Sequence, residues 1–218
     1  MENIFTKIYE NNTWAHSSTN GKIVPQQESK SGEGSTLAQT GKIRETLPQL
    51  FKQLGVNSIT DASCGDFNWF KEIKMDGTIY LGIDIVESVI EENNKKYKDN
   101  FRNFVVGNII SYPLPSHDLI LCRDCLVHLS VQDVFSAIKN FKKSKSTYLL
   151  TTTFIRPDRK NSLDMKTGNW QPINLMASPF NFPQPLVIIN EHCTEFDGQY
   201  SDKSLALWKI EDIPLSQK

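Results

Sequence analysis

The stretch Ile59-Thr60-Asp61-Ala62-Ser63-Cys64-Gly65-Asp66-Phe67 constrains the fold of this chain more than any other. It reads as a short buried strand running into a tight turn of small residues. Ala62, Ser63 and Gly65 let the backbone come close to a ligand, and Gly65 takes positive φ without steric cost. A second strand, Thr78-Ile79-Tyr80-Leu81-Gly82-Ile83-Asp84, ends on a carboxylate 23 residues after Asp61. In a βαβ nucleotide-binding unit, an acid about 20 residues past the turn accepts hydrogen bonds from ribose hydroxyls. The spacing therefore predicts that the first half of the chain holds a nucleoside, with Asp84 as ribose ligand. The plain structural alternative for Asp84 is a solvated helix cap.

The rest of the pattern supports a parallel sheet. Leu37, Ile43, Leu47, Leu50, Phe51 and Leu54 recur at helical spacing over 36–54, and Gly55 stops the helix. Pro48 inside it predicts a kink or two pieces. Then come a strand at 57–62, a short helix at 67–73, the strand 78–84 and a helix at 87–97. Strands follow at 104–106 and 118–122. Ser130, with Asp133 three residues on, opens a helix to about Lys143. Thr147 to Phe154 is β-branched and aromatic, a further strand. Residues 186–190 and 204–210 close the chain as an antiparallel edge hairpin. Strands alternating with helices imply an α/β, Rossmann-like, doubly wound sheet of seven mostly parallel strands. Its ligand belongs at the C-terminal strand ends, near the switch in strand order. Residues 1–35 show little periodicity and read as a flexible N-terminal cap. The Asn-, Pro- and Trp-rich segment 156–184 reads as a functional loop.

Length and charge narrow the classes. The 218 residues suit one domain with a single large core. A net charge of −1 offers no global field for nucleic acid or an anionic membrane. No apolar window is long enough to span a membrane. The start, Met1-Glu2-Asn3-Ile4-Phe5, lacks the basic and apolar regions of a signal peptide. Cys64, Cys122, Cys125 and Cys193 suggest free thiols in a reducing compartment, so a cytoplasmic location is expected. Cys122-Arg123-Asp124-Cys125 lacks the second pair of a zinc site and the surroundings of a redox motif. No metal is expected.

The ordered motifs resemble those of class I S-adenosylmethionine-dependent methyltransferases. Asp61-Ala62-Ser63-Cys64-Gly65 is similar to the family's first motif, with Phe67 where a second glycine is usual. Asp84 matches the ribose acid. Val106-Gly107-Asn108-Ile109 resembles the third motif, whose polar residue meets the adenine; Asn108 replaces the commoner Asp and keeps donor and acceptor capacity. His117-Asp118-Leu119-Ile120-Leu121-Cys122 resembles the strand bordering the methyl-transfer site. More narrowly, Arg44, the 61–69 stretch, Cys122–Ser130 and Leu149–Phe154 are similar to a bacterial and viral subgroup, some of them fused to glycosyltransferases of surface-glycan pathways. One such resemblance is to the methyltransferase domain of a chlorella-virus glycosyltransferase that O-methylates rhamnose. It implies a sugar or glycan acceptor and a glycosyltransferase domain or partner. S-adenosylmethionine is the implied cofactor. Trp14, Ser35, Arg44, Asp61, Ser63, Gly65, Asp84, Ile85, Asn108 and Arg123 are its expected contacts, with Arg44 as the fork for its carboxylate.

A sugar hydroxyl must lose its proton as its oxygen is methylated, and a histidine near neutrality suits that task. His128 lies just past the 118–122 strand. If that turn is helical, Asp124 shares its face and orients the imidazole. His16, His117 and His192 are better explained as structural or solvated. Trp170, Asn169 and Asn174 in the long loop are the expected acceptor contacts, the Trp offering a flat apolar face. Other readings are a nucleic-acid methyltransferase, an NAD-dependent oxidoreductase or a non-catalytic cofactor-binding module. The chain lacks both the G-x-G-x-x-G of the oxidoreductases and the Asn/Asp-Pro-Pro-aromatic stretch used in base amino-group methylation.

Overall fold

The computed structural model describes residues 1–19, 22–25, 28–75 and 77–215. Its main sheet has seven strands: β3 (Ser58–Ala62), β4 (Ile79–Asp84), β5 (Arg102–Val106), β6 (Leu119–Cys122), β7 (Tyr148–Phe154), β8 (Val187–Asn190) and β9 (Lys203–Lys209). They lie in the order β5-β4-β3-β6-β7-β9-β8. The pairs from β5 to β7 are parallel, and β9 runs antiparallel to both β7 and β8. The Rossmann-like, mostly parallel sheet with an antiparallel C-terminal edge is thus as the sequence predicts. The strand order reverses between β3 and β6, so a crevice opens at their carboxyl ends.

Strand β6 shows why the sheet is covered on both faces. All four of its residues are buried. Ile120 and Cys122 join a core with Val134, Ile138 and Phe141 of helix α4 (Val131–Ser144), whereas Leu119 and Leu121 join a core with Ile43 and Leu47 of helix α2 (Gly41–Leu54). A strand buried on both sides reads as a continuous apolar run, as this one does. Helix α3 (Glu87–Tyr97) packs on β4 and β5. Ser130 caps α4 by accepting from the Asp133 N–H at 3.2 Å, as its spacing predicts. Gly55 ends α2 in the left-handed conformation, at φ 66°.

Several local expectations are corrected. Helix α2 begins at Gly41 rather than Thr36 and runs through Pro48 as one element. The expected helix at 67–73 is a single 3₁₀ turn, Phe70–Glu72, because Phe67 takes φ 57°. The N-terminus is not an unstructured cap. Helix α1 (Glu2–Glu10) buries Phe5 and Tyr9 one turn apart, and strands β1 (His16–Thr19) and β2 (Lys22–Pro25) pair as a hairpin. Among the described residues, no helix is long and apolar enough to cross a membrane.

Gly82, at the centre of β4, has no room for a side chain. An added Cβ would meet Phe104 at 2.6 Å and the Cys64 sulfur at 3.0 Å. Gly82→Ala should therefore cost about 1–3 kcal/mol by overpacking. The check is urea unfolding, where the midpoint should fall with the slope unchanged.

Candidate active site

The crevice at the β3 and β6 ends is a cavity of about 660 Å³, within the usual range for small-molecule sites. Its floor is the turn after β3. The Ser63 and Cys64 N–H groups both donate to the Ile83 carbonyl, at 2.9 and 3.0 Å. The Gly65 N–H donates to Asp84 Oδ2 at 3.0 Å, and the Val86 N–H to Oδ1 at 3.0 Å. The turn thereby bends back over the end of β4. Gly65 takes φ 53°, and an added Cβ there would strike the Ser31 hydroxyl, so the position is closed to larger residues. Ser63 accepts the same strained region at φ 92°. Its hydroxyl oxygen is buried and has no hydrogen-bond partner among the described residues, and Ser63 lines the cavity. A buried polar atom left unpaired marks a place where a ligand completes the bonding.

Two acids meet at this floor. Burial raises the Asp61 carboxyl to about 7, against the Tyr80 hydroxyl, which donates to its Oδ2 at 2.7 Å. Burial also raises Asp84, against the backbone N–H groups that point at it. Among the described residues neither forms an ion pair, though the Arg123 charge acts on Asp61 from a distance, and both line the cavity. A cationic ligand would supply the missing charge. Asp84 accepts few of the roughly four hydrogen bonds a carboxylate can take, which leaves capacity for ribose hydroxyls.

Trp14, Ser35, Ile85, Asn108, Arg123, Asp124, His128 and Trp170 line the same cavity. His128 ends a 3₁₀ turn, Leu126–His128, just after β6. Its Nδ1 lies 3.0 Å from the Asn169 carbonyl oxygen. A carbonyl only accepts, so Nδ1 carries the proton and Nε2 is left with its lone pair. Burial lowers the pKa of His128 below its ordinary value, only partly opposed by that carbonyl and by Asp124. The ring stacks against Trp14, with centroids 4.6 Å apart. Trp14 in turn packs on Phe5 and Tyr9. Helix α1, unread in the sequence, thus helps hold the imidazole.

Four expectations are revised by this geometry. The turn between Asp124 and His128 is not α-helical, since Asp124 takes φ 52°. The Asn169 carbonyl, not Asp124, orients the ring. Asp124 instead accepts from Lys203 Nζ at 2.6 Å, and its N–H donates to Thr152 Oγ1 at 2.8 Å. Burial would raise Asp124, but Arg123 and Lys203 overcome it and hold the carboxyl far below its usual range. Arg44 lies outside the cavity; it donates to the Leu37 carbonyl and to Thr40 Oγ1 within its own helix start. Asn174 is buried in the 156–184 loop, where its Oδ1 accepts from the Met176 N–H and its backbone pairs with Asn161. Asn169 contributes its carbonyl, and its side chain is exposed.

Residues the sequence reading passed over complete the site. Tyr9, Ser31, Glu33, Phe154, Glu195 and Phe196 all line the cavity, beside Tyr200, whose place at the acceptor rim the sequence suggests. The charged network behind it joins Arg123 to Glu191 at 2.6 Å and Lys203 to Glu195 at 3.3 Å. No local signal reveals the Arg123–Glu191 pair, 68 residues apart in sequence. The four cysteines are free thiols, and Cys122 is raised first by its contact with Cys125 and then by burial. Among the described residues, no group of three or more His, Cys, Asp or Glu side chains is arranged to hold a metal ion.

Residues 60–149 match a family model described as a methyltransferase domain. No curated protein matches the chain. The chain is similar to magnesium protoporphyrin IX methyltransferase from Synechocystis PCC 6803 with bound SAH, at 11% identity and TM-score 0.56, over 80% of this chain and 85% of that one. It is also similar to human N-acetylserotonin methyltransferase in complex with SAM, at 13% identity and TM-score 0.54, over 93% of this chain and 65% of that one. The methyltransferase domain of bacterial CtHen1 matches at 14% identity and TM-score 0.47, over 53% of this chain and 66% of that one. At these identities the structural likeness is one of fold. The match to the methyltransferase domain covers residues 60–149, under half of the chain, and the two fuller structural neighbours were solved with SAH and with SAM. The residues present fit a cationic nucleoside: a Ser63 hydroxyl without a partner among the described residues, acceptor capacity on Asp84, and two buried carboxyl groups that form no ion pair among those residues.

Two outcomes are expected. Asp84→Ala should weaken SAH binding by a charge-assisted hydrogen bond, about 1.5–3 kcal/mol; titration calorimetry showing unchanged affinity would reject the role. Asp61, raised to about 7 when folded, favours the folded state most below its unfolded value. That contribution is lost as pH rises through about 7. Thermal melts from pH 4 to 7 should therefore show the wild type losing stability relative to Asp61→Asn. Parallel curves would show that Asp61 is not so perturbed.

Proposed function

We propose that the chain is an O-methyltransferase that transfers the methyl group of S-adenosylmethionine to a hydroxyl of a sugar or glycan. The observation that carries this reading is His128, whose free Nε2 follows from the Asn169 carbonyl on Nδ1, in the same cavity as Asp84. When bound, S-adenosylmethionine supplies an electrophilic methyl group. Asp84 holds the ribose and Asn108 the adenine edge, while Ser63, Gly65 and Asp61 border the methionine end. Ser35, Ile85, Trp14 and Arg123 complete that wall. His128 Nε2 would take the proton that the acceptor hydroxyl loses as its oxygen displaces the sulfonium sulfur from the methyl carbon, the electrons of the broken C–S bond staying on sulfur.

The acceptor wall is read as the 156–184 loop with Trp170 at its centre. Trp170 is 40% exposed and meets Tyr200 and Phe154 edge-on, at 4.7 and 5.9 Å. Such a ring wall suits the apolar face of a sugar. The resemblance of the motifs to glycan-pathway methyltransferases, rhamnose included, supports the same acceptor class. A glycosyltransferase, as a further domain or a partner, is the class of enzyme that supplies it. The whole chain is read as one methyltransferase unit acting in the cytoplasm.

His128→Ala should slow methyl transfer by roughly 10²–10⁴-fold while SAH affinity stays within twofold. In the wild type the acid limb of the rate profile should fall below the ordinary histidine pKa, because burial lowers His128. Both are measured by mass gain in a screen of sugars, aglycones, peptides, RNA and DNA. A wild-type rate in the variant, or methyl gain on nucleic acid alone, would overturn the reading.

A further inference from the structure

The acceptor end of the cavity is built from both signs of charge but presents one. The side chains of Arg123 and Lys203 are 3% and 6% exposed, whereas those of Asp124 and Glu195 are 24% and 17% exposed. The cations lie behind and the carboxylates in front. Arg123 donates to both Glu191 oxygens and to the Gly34 carbonyl, and its guanidinium carbon lies 5.2 Å over the Trp69 ring. Lys203 Nζ faces Asp124 at 2.6 Å, Glu195 at 3.3 Å and Glu191 at 3.9 Å. Both cations are thus already paired with carboxylates of the protein, Arg123 with Glu191 and Asp124, and Lys203 with Asp124 and Glu195.

The ring wall is continuous with this charged face. Phe196 adjoins Glu195 in the chain and meets Tyr200 at 5.7 Å. Tyr200 meets Trp170, and Trp170 meets Phe154, which pairs with Lys203 across β7 and β9. Apolar rings and carboxylate oxygens therefore border one space.

From this arrangement, and resting on the methyl-transfer reading above, we infer that the acceptor is an uncharged, hydroxyl-rich ring. Its hydroxyls donate to Asp124 and Glu195 while its apolar face lies on Trp170 and Tyr200. Ionised carboxylates only accept hydrogen bonds, and hydroxyls donate them. A phosphate or uronate brings acceptor oxygens and negative charge against two carboxylates; among the described residues the lining cations Arg123 and Lys203 are already paired, and Arg159, over the Tyr200 ring, is paired with Asp202. Like charges so placed reject the wrong ligand. The site thus selects neutral glycosides over sugar phosphates, nucleotide sugars and uronates.

The test uses the full chain with S-adenosylmethionine and matched acceptors: methyl glycosides of neutral hexoses and 6-deoxyhexoses, and the corresponding phosphates and uronates. Methyl gain read by mass should favour the neutral compounds in kcat/KM by at least roughly tenfold. Glu195→Gln and Asp124→Asn should raise the KM of the neutral acceptor and narrow that gap, with SAH affinity within twofold. If Asp124→Asn fails to fold, because Lys203 loses its partner, Glu195→Gln carries the test. Equal or better transfer to a charged acceptor, or an unchanged neutral-to-anionic ratio in the variants, overturns the inference and leaves methyl transfer standing. No methyl gain on any acceptor, with SAH bound, overturns both.

Discussion

One backbone hydrogen bond, from the Gly65 N–H to Asp84 Oδ2 at 3.0 Å, sets the shape of the site. It joins the turn after β3 to the tip of β4, so the carboxylate and the cradle for a ligand form as one unit. The second brace is the Asn93 side-chain amide, which donates to the Gly65 carbonyl at 2.7 Å from α3. With both backbone groups of Gly65 engaged, the turn has little freedom left. That rigidity is needed, because Ser63 and Phe67 sit at positive φ beside Gly65. Each non-glycine residue there costs about 1–2 kcal/mol. Phe67 offsets its share through burial against Phe70, Tyr80, Tyr97 and Phe104. This accounts for an aromatic where a second glycine is usual: the ring fills the core under the turn, and the backbone follows.

The same turn recruits the N-terminal segment. Asp66 accepts from the Ser29 and Ser31 hydroxyls and from the Lys30 N–H. The Tyr9 hydroxyl lies 2.8 Å from Ser31 Oγ. A polar stretch that reads as a loose loop is therefore fastened by one carboxylate more than thirty residues away. It brings Glu33, Gly34 and Ser35 to the cavity, and Gly34 passes its carbonyl to Arg123.

What was legible in the sequence follows from the range of the interactions involved. Strands β3, β4, β6 and β7 announce themselves as short apolar or β-branched runs, since each is buried on both faces. The strand-tip acid at position 84 and the turn before it lie close enough in sequence to be read by spacing. Helix α1 carried a signal, Phe5 and Tyr9 at i and i+4, that was passed over for want of length. Arg44 misled because a fork-shaped donor on a helix near the first motif suits a carboxylate, and nothing local says that the Leu37 carbonyl will claim it. The pairs Arg123–Glu191 and Lys203–Asp124 span 68 and 79 residues. They exist only because β9 inserts between β7 and β8, a fact of sheet order that no local pattern encodes.

The i, i+4 spacing of Asp124 and His128 promised a direct hydrogen bond, and the left-handed backbone at Asp124 forbids it. Asp124 still acts on His128 through space: it raises the histidine's proton affinity while burial and Lys203 lower it. On the proposed reading of His128 as base, the imidazole is neutral before the proton moves and the imidazolium needs stabilising afterwards. Burial supplies the first requirement. For the second, Asp124 is a fixed negative charge, held ionised by Arg123 and Lys203, and it does not compete with the Asn169 carbonyl for Nδ1. Splitting tautomer control and charge compensation between two partners lets each be set separately. The ring stays in one orientation because a backbone carbonyl and the Trp14 face hold it, and its basicity answers to a network anchored on the far edge of the sheet.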